Sequence, residues 1–290
     1  MLFLLMTKVR AFFQLLKFRL SLTVAFSSAI GYLLGAKELD WSRALLVMLG
    51  GLAVTGAANT INQIFEKDLD KLMKRTAKRP LPQGVLSITE AWAFVAVMGI
   101  IGLGILTYFF NPLAAALSLV SLILYGFIYT PLKTISPICV AVGAIPGGMP
   151  PLIGWVAATG VLSAEGWILF AIQFMWQFPH FWAIAWVLDD DYKKAGFKML
   201  PTPGAKDLRT AMQIMTYTLV LIPLSLLPFY FGMTNTTYPM VAAICGVLFL
   251  MQTFYLMRTV SKKAAMRIMF GSFLYLPIVQ IALVMDKIKM

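Results

Sequence analysis

Residues 88–130 read ITEAWAFVAVMGIIGLGILTYFFNPLAAALSLVSLILYGFIYT and contain one charged side chain, that of Glu90. The stretch holds two apolar runs, 88–110 and 112–130, and the pair Asn111-Pro112 between them is typical of a tight turn. Each run is long enough to cross the roughly 30 Å hydrocarbon core of a bilayer as a helix. Because a helix satisfies its own backbone hydrogen bonds in lipid, the stretch predicts two transmembrane helices joined by a turn.

Seven further apolar runs of similar length occur along the chain. They are 20–36, 44–65, 137–158, 164–187, 209–232, 237–257 and 267–286. Hydrophobic residues make up 60% of the 290 residues and charged residues 12%, whereas soluble domains average about 45–50% and about 25%. The sequence therefore predicts a single all-α domain, residues 1–290, that spans the membrane about nine times. Residues 1–19 are predicted to lie on the cytoplasmic membrane surface.

Lysine and arginine are distributed unevenly between the two sides that nine spans define. Twenty of the 24 fall in the N-terminal segment and in the loops after the second, fourth, sixth and eighth runs. The other side has Lys37, Arg43, Lys287 and Lys289. Because positive residues accumulate in cytoplasmic loops, this distribution predicts a cytoplasmic N-terminus and an external C-terminus. Topology accounts for most of the net charge of +12, so the charge does not indicate nucleic-acid binding.

The end of the second run carries closely spaced oxygen-bearing side chains. At about 100° per residue, a helix places these side chains within an arc of about 80° and Asp68 on the opposite face; they belong to Asn59, Asn62, Glu66 and Asp70. Carboxylates one turn apart repel each other unless a positive group lies between them. Mg²⁺ prefers such oxygen ligands together with substrate phosphates.

A basic segment follows directly, since residues 74–82 read KRTAKRPLP. The guanidinium groups of Arg75 and Arg79 offer planar forks for phosphate oxygens, and Pro80 and Pro82 stiffen the loop. The acids and the basic segment together indicate a magnesium–diphosphate site. A salt-bridged helix end in a solvated loop is the alternative explanation.

The sixth run contains His180, the only histidine, beside Pro179, which is expected to kink the helix. If the helix continues, Asp191 lies about 20° from His180 and Asp189 lies opposite. An ionisable residue within the membrane favours a functional role, although a hydrogen-bonded core histidine would have the same sequence context.

Aromatic residues near this histidine are open to two interpretations. Trp176 and its neighbours either pack the core or line a pocket for an isoprenoid tail, where ring faces would shield a carbocation. Tyr125, Tyr129 and the stretch Gly143–Pro151 are further candidates for such a pocket. The last stretch, GAIPGGMPP, is too rich in Gly and Pro to predict an unbroken helix, and irregular backbone at that depth usually lines a cavity.

Residues 62–82, NQIFEKDLDKLMKRTAKRPLP, resemble the signature of the intramembrane UbiA-type prenyltransferase superfamily. The matching positions are Asn62, Glu66, Asp70, Arg75-Thr76 and Arg79-Pro80-Leu81-Pro82. Three features resemble its heme O synthase branch: Glu66 as the second signature acid, MPPLIGW at Met149–Trp155, and PHFWAIAW at Pro179–Trp186 with DYKKAGFKMLP at Asp191–Pro201. The resemblance covers nearly the whole chain.

The resemblance implies a UbiA-type helix bundle that converts farnesyl diphosphate, protoheme IX (heme B) and water to heme O and diphosphate. It implies Mg²⁺ held by Asn62, Glu66, Asp70 and Asp191. Substrates would be bound by Asn59, Arg75, Arg79, Tyr129, Trp176, Lys193 and Lys194. His180 would ligate or orient heme, or manage a proton. The implied setting is a bacterial inner membrane with the site facing the cytoplasm, in contact with lipid, and with a heme A synthase or terminal oxidase downstream.

The sequence departs from the wider superfamily at its second signature, which there has two Asp residues four apart. Asp191 matches the later one, whereas Val187 stands at the earlier one, and His180 lies upstream where quinone-type members carry Asp. This pattern argues against the first alternative, a prenyltransferase for a quinone precursor such as 4-hydroxybenzoate. A transporter is a second alternative, although its polar relay would lie near the midplane. A structural assembly factor for an oxidase is a third.

Overall fold

The computed structural model describes residues 2–201 and 205–288, and their regular structure is helical apart from one isolated bridge between Thr234 and Lys287. A π-helical turn, Leu124–Tyr129, joins α6 to α7. The helices are α1 (Leu2–Leu16), α2 (Phe18–Gly35), α3 (Trp41–Phe65), α4 (Lys67–Asp70), α5 (Ile88–Phe109), α6 (Pro112–Ile123), α7 (Thr130–Ile135), α8 (Cys139–Thr159), α9 (Ala164–Lys194), α10 (Leu208–Tyr230), α11 (Thr237–Thr259) and α12 (Lys262–Met285).

Within the described residues, nine helical segments are long and apolar enough to cross a membrane, which confirms the predicted number. The fourth extends further than predicted, from Pro112 to Ile135, and the sixth extends to Lys194. At the end of the sixth, Lys193 pairs with Asp189 at 2.8 Å one turn earlier, an i,i+4 contact that stabilises a helix beyond its apolar part. The chain is a multi-pass membrane protein.

The turn between the third and fourth spans has the predicted form. The Asn111 side chain caps α6 by accepting the backbone N–H of Ala114 at 2.9 Å, and Pro112 occupies the first turn of that helix. The Asn111 amide also donates to the backbone oxygen of Val156 at 2.8 Å, which ties the turn to α8. A capping asparagine followed by proline therefore both starts α6 and positions it.

The prediction of a broken helix at Gly143–Pro151 is wrong, because α8 runs unbroken through Pro146, Pro150 and Pro151. Pro150 and Pro151 have no N–H for the carbonyl oxygens of Pro146 and Gly147 one turn earlier. Neighbouring side chains replace the missing donors. The Gly147 oxygen accepts from the side-chain amides of Gln173, at 2.8 Å, and Gln177, at 3.1 Å. The Pro146 oxygen accepts from the Ser121 hydroxyl at 3.3 Å.

Helix α8 lies at the centre of the bundle, packed against α2, α6 and α9. Two glycines set its close approach to α2: a Cβ at Gly154 would lie 1.9 Å from the backbone oxygen of Ser28, and a Cβ at Gly31 2.0 Å from that of Pro151. Helices α10 and α11 lie outside α9 and α12, and α12 packs against α2, α9 and α11.

The N-terminal segment forms a helix of its own. Lys17 has a left-handed backbone, φ 46°, which separates α1 from α2. Helix α1 is attached to its neighbours by an ion pair between Lys8 and Glu90 at 2.5 Å and by the Gln63 side chain, which donates to the Leu15 oxygen at 2.8 Å. The position of this helix at the membrane surface and the orientation of the bundle stay predictions. Met1, which begins the predicted surface segment, and Lys289, which was counted on the external side, lie outside the described residues.

Candidate active site

Helix α3 ends just before its acidic residues. Glu66 leaves the helical conformation, with φ −90° and ψ 4°, and α4 then begins at Lys67. The predicted single face is therefore interrupted, but its four members, Asn59, Asn62, Glu66 and Asp70, are all buried. Asp68 points away as predicted and pairs with Lys71 in solvent at 2.7 Å.

Glu66 is held by a buried cation from another part of the chain. The Lys133 ammonium on α7 lies 2.7 Å from Glu66 Oε1, and both side chains are shielded from solvent. The same ammonium lies 4.6 Å from the ring centroid of Tyr129, whose face is electron-rich. Lys133 thus joins the acid to the aromatic wall predicted from the sequence.

Asp70 is fully buried and paired on one side only. Arg79 donates to its Oδ2 at 2.6 Å, whereas its Oδ1 is buried without a hydrogen-bond partner. Burial raises the pKa of this carboxyl above the usual value for aspartate, and the Arg79 guanidinium opposes that shift. A buried carboxylate oxygen without a donor is a favourable position for a further cation.

Lys17 completes a group of three basic side chains. Its ammonium donates to Asn62 Oδ1 at 3.0 Å, and the Asn62 amide donates to the Thr130 hydroxyl at 3.3 Å. Burial, followed by repulsion from Arg79 and Lys133, lowers the pKa of Lys17 well below the usual value for lysine. We call the group of Lys17, Glu66, Asp70, Arg79 and Lys133 the ion cluster.

Two tyrosines border the ion cluster. The ring centroids of Tyr125 and Tyr129 lie 5.2 Å apart, and the Tyr125 hydroxyl donates to Asn59 Oδ1 at 3.5 Å. The Asn59 amide donates to Ser21 on α2 at 3.1 Å. Asn59 therefore connects the aromatic border to α2, and its part in substrate binding stays a prediction.

The second acidic segment lies beside the first site. Asp191 Oδ2 accepts the backbone N–H of Arg75 at 3.4 Å, so the two sequence signatures meet. Lys194 lies 3.7 Å from the Asp191 carboxylate, whereas Lys193 pairs with Asp189. Asp191, Lys194 and the backbone of Arg75 therefore lie together. The Lys193 ammonium instead pairs with Asp189, which helical spacing placed on the opposite face from Asp191.

His180 lies elsewhere, between α9 and α12. It is eleven residues before Asp191 in a continuous helix, or about 16 Å along the axis. Its ring stacks on Trp176 with centroids 4.4 Å apart and meets the edge of Phe273 at 4.9 Å. Its Nδ1 lies 2.8 Å from the Ser272 hydroxyl. We call Trp176, His180, Ser272 and Phe273 the histidine pocket.

Ser272 determines which nitrogen of His180 carries the proton. Its hydroxyl donates to the Met269 backbone oxygen at 2.6 Å. Its oxygen therefore accepts from His180 Nδ1–H, and the other nitrogen, Nε2, keeps its lone pair. Trp176 Nε1 also donates to the Ser272 backbone oxygen at 3.0 Å, so one residue holds both rings.

The predicted metal ligands are only partly assembled. Among the described residues, no three His, Cys, Asp or Glu side chains converge as a metal site. Glu66 and Asp70 are instead each paired with a cation. The donor set still fits Mg²⁺, because Asp70 Oδ1 is buried without a partner and carboxylate and amide oxygens are the ligands that Mg²⁺ prefers. The Asn62 oxygen is held by Lys17 and that of Glu66 by Lys133.

Comparison with known proteins shows the family of the chain. Residues 24–276 match the model of the UbiA prenyltransferase family. The chain belongs to the UbiA prenyltransferase family. A relative from Cytophaga hutchinsonii, named protoheme IX farnesyltransferase, is 56% identical over 283 residues, which cover 97% of this chain and 99% of that protein.

Solved UbiA-type structures share the fold of this UbiA family member. A digeranylgeranylglyceryl phosphate synthase aligns with a TM-score of 0.80 at 24% identity, over 98% of this chain and 99% of its own. A UbiA homologue from Archaeoglobus fulgidus bound to GPP and Mg²⁺ aligns with a TM-score of 0.65 at 16% identity, over 94% and 99%. The all-helical fold prediction is confirmed.

Two cations of this UbiA prenyltransferase were not singled out from the sequence. Lys133 and Lys17 contributed only to the count of positive residues, yet both are buried in the ion cluster. Lys133 carried a usable signal, since it is the only charged residue between Glu90 and Glu165. Lys17 carried none, because it lies among the other basic residues of the N-terminal segment.

Proposed function

We propose that this chain transfers a farnesyl group from farnesyl diphosphate to the vinyl side chain of protoheme IX, with addition of water, giving heme O and diphosphate. The ion cluster carries the proposal: it buries the cations Arg79 and Lys133 with two carboxylates at the end of α3, and Lys17 lies beside them. Such a group suits a diphosphate, which is polyanionic. The name of the 56% identical relative supports farnesyl as the donor and protoheme as the acceptor.

The cations of the cluster are positioned before substrate arrives. Arg79 and Lys133 are fixed within 2.7 Å of Asp70 and Glu66. A diphosphate that enters exchanges these contacts for contacts with its own oxygens. Since the cations already lie out of water, they need little reorganisation to stabilise the negative charge that develops on the leaving group.

We expect Mg²⁺ to be held by Asn62, Glu66 and Asp70, together with Asp191 from the second acidic segment. When bound, Mg²⁺ would neutralise charge on the diphosphate as the carbon–oxygen bond breaks. The Archaeoglobus fulgidus homologue bound to GPP and Mg²⁺ supports the use of this cation with a prenyl diphosphate. Arg75 lies next to Asp191 through its backbone, where its side chain can reach the same anion.

Bond cleavage leaves the electron pair on diphosphate and an allylic cation on the farnesyl chain. The rings of Tyr125 and Tyr129 border the ion cluster, and aromatic faces of this kind can stabilise that cation. The terminal vinyl carbon then forms the new carbon–carbon bond, and the positive charge moves to the carbon attached to the porphyrin. Water adds there and loses a proton, which leaves the hydroxyl group of heme O.

We assign His180 to the acceptor. Its neutral ring has a free lone pair on Nε2, because Ser272 accepts the proton of Nδ1. A neutral imidazole of this kind binds heme iron in many proteins. In this role His180 orients protoheme, and the ring of Trp176 stacks on the imidazole.

The site faces the cytoplasm of a bacterial cell in this proposal, as the distribution of Lys and Arg predicts. Heme O would pass to a heme A synthase or directly to a heme-copper terminal oxidase. Prenylation of a quinone precursor is the alternative function, since the ion cluster alone does not select the acceptor.

Purified protein in lipid nanodiscs tests donor and acceptor together. It would be given farnesyl diphosphate and Mg²⁺ with either protoheme or 4-hydroxybenzoate, and diphosphate release and product mass would be measured. We expect release that depends on protoheme and a heme heavier by one farnesyl group and one hydroxyl group. Prenylated 4-hydroxybenzoate with unchanged heme would establish the alternative, and no release with either acceptor would contradict both.

A further inference from the structure

A groove of about 640 Å³ opens on the outer surface between α11 and α12. Its lining includes Leu248, Met251, Phe254, Tyr255, Arg258 and Arg267. Helix α11 packs mainly against α10 and α12, so the groove lies away from the ion cluster and from α8. Its apolar side chains are exposed on the face that the bundle presents to the membrane.

Two arginines lie at one end of the groove without acidic partners. Arg258 is in the last turn of α11, and the Arg267 guanidinium lies over the Tyr255 ring, 4.8 Å from its centroid. Neither forms an ion pair among the described residues. The sequence contains no Asp or Glu between residues 208 and 285. Both guanidinium groups are therefore available to an anion from outside the chain.

The groove has the dimensions and polarity of a lipid. Leu248 precedes Arg258 by ten residues of continuous helix, so the apolar floor extends about 15 Å from the charged end. The alternation of spans places the α11–α12 turn on the same side of the membrane as the ion cluster. Basic pockets between membrane helices at an interface of this kind attract anionic headgroups.

We propose that this groove binds an anionic phospholipid, with its headgroup phosphate on Arg258 and Arg267 and an acyl chain along Leu248, Met251 and Phe254. The guanidinium groups supply paired donors for phosphate oxygens. The exposed floor favours a lipid over a soluble anion, because a soluble anion would leave that surface without a partner.

Native mass spectrometry of the purified full chain measures this preference. Phosphatidylglycerol and phosphatidylcholine with the same acyl chains would be added to wild type, to the double variant Arg258→Gln/Arg267→Gln, and to the matched control Lys262→Gln/Lys263→Gln. We expect wild type to retain phosphatidylglycerol preferentially. The arginine variant should bind it roughly 30-fold more weakly, as expected for the loss of two cations near an anionic surface. The control should lose much less.

A second measurement on wild type does not depend on how the variants fold. Phosphatidylglycerol with a photoreactive acyl chain should label peptides within residues 248–267. Labelling elsewhere, equal retention of the two lipids, or an equal loss in the lysine control would overturn the proposal. Loss of labelling when farnesyl diphosphate or protoheme is present would also overturn the proposal, because the groove would then be a substrate site.

Discussion

The ion cluster and the histidine pocket are both buried polar sites, but they are built in opposite ways. The cluster sets three basic side chains against two carboxylates and leaves Asp70 Oδ1 without a partner. The pocket is neutral: His180 is hydrogen-bonded to a hydroxyl and enclosed by aromatic rings. Charged groups that face each other suit an anionic leaving group, and a neutral imidazole suits a metalloporphyrin.

This contrast predicts that the two substrates can be affected separately. Variants of the ion cluster should weaken the binding of farnesyl diphosphate and leave the binding of protoheme unchanged. Variants of the histidine pocket should do the reverse. If a correctly inserted variant in one region weakened the binding of both substrates equally, the distinction between the two regions would be wrong.

The largest effect is expected for Glu66→Gln. The substitution leaves Lys133 buried without its partner. Breaking a buried ion pair in this way costs about 3–5 kcal/mol of the free energy of unfolding. Turnover should fall roughly 10²–10³-fold, as when one group that stabilises transition-state charge is lost. Diphosphate release from membrane-inserted protein measures it, with the solvent-exposed Asp68→Asn as the matched control. Full activity in Glu66→Gln would contradict the assignment.

The next effect concerns pH and Asp70. Burial raises its pKa in the folded protein, so activity that needs the carboxylate should fall as pH drops through a value above that of ordinary aspartate. The contribution of Asp70 to the free energy of unfolding has the opposite direction: it is present below about pH 4 and is lost as pH rises through the raised pKa. Turnover of Asp70→Asn should be low and lack this acidic limb. An unchanged pH profile in that variant would exclude Asp70 as the titrating group.

In the histidine pocket, His180→Ala should weaken protoheme binding and lower turnover roughly 100-fold, the upper range for loss of an orienting interaction at a metal. The affinity for farnesyl diphosphate should not change. The absorption spectrum of bound protoheme provides the readout, since loss of an axial imidazole shifts the Soret band. A wild-type spectrum in the variant would return His180 to a structural role.

The smallest effect is expected for Ser272→Ala, which removes the acceptor that holds Nδ1–H and lets the imidazole change tautomer. Protoheme affinity should fall roughly 10-fold. Ser272→Thr keeps the hydroxyl and should restore most of it. Equal affinities in the two variants would show that the hydroxyl does not orient the ring.

The membrane fold was predictable because its signals are local. Apolar runs and the cap at Asn111 gave nine spans and the turn between the third and fourth. The α8 prediction failed because the donors that satisfy Pro146 and Gly147 come from α6 and α9. Local composition contains no information about partners that tertiary packing supplies.

The candidate site divides in the same way. Helical spacing separated Asp68 from the buried acids, since that depends only on residues one turn apart. The partner of Glu66 lies 67 residues away on α7, so helical spacing could not pair it with Lys133, although Lys133 stands out in the sequence as an isolated charge. Sequence reasoning also grouped His180 with Asp191 by helical face, whereas three turns of helix separate them along the axis.

The most direct test of the central claim is mass spectrometry of hemes extracted from bacterial cells that lack their own heme-farnesylating enzyme. The cells would express wild type or Glu66→Gln, with membrane insertion verified for both. A hydroxyethylfarnesyl heme in cells with wild type, absent or strongly reduced with Glu66→Gln, is the predicted result. Unchanged heme B in cells with inserted wild type would contradict protoheme as the acceptor, and equal product from both would contradict the ion cluster as the site of diphosphate departure.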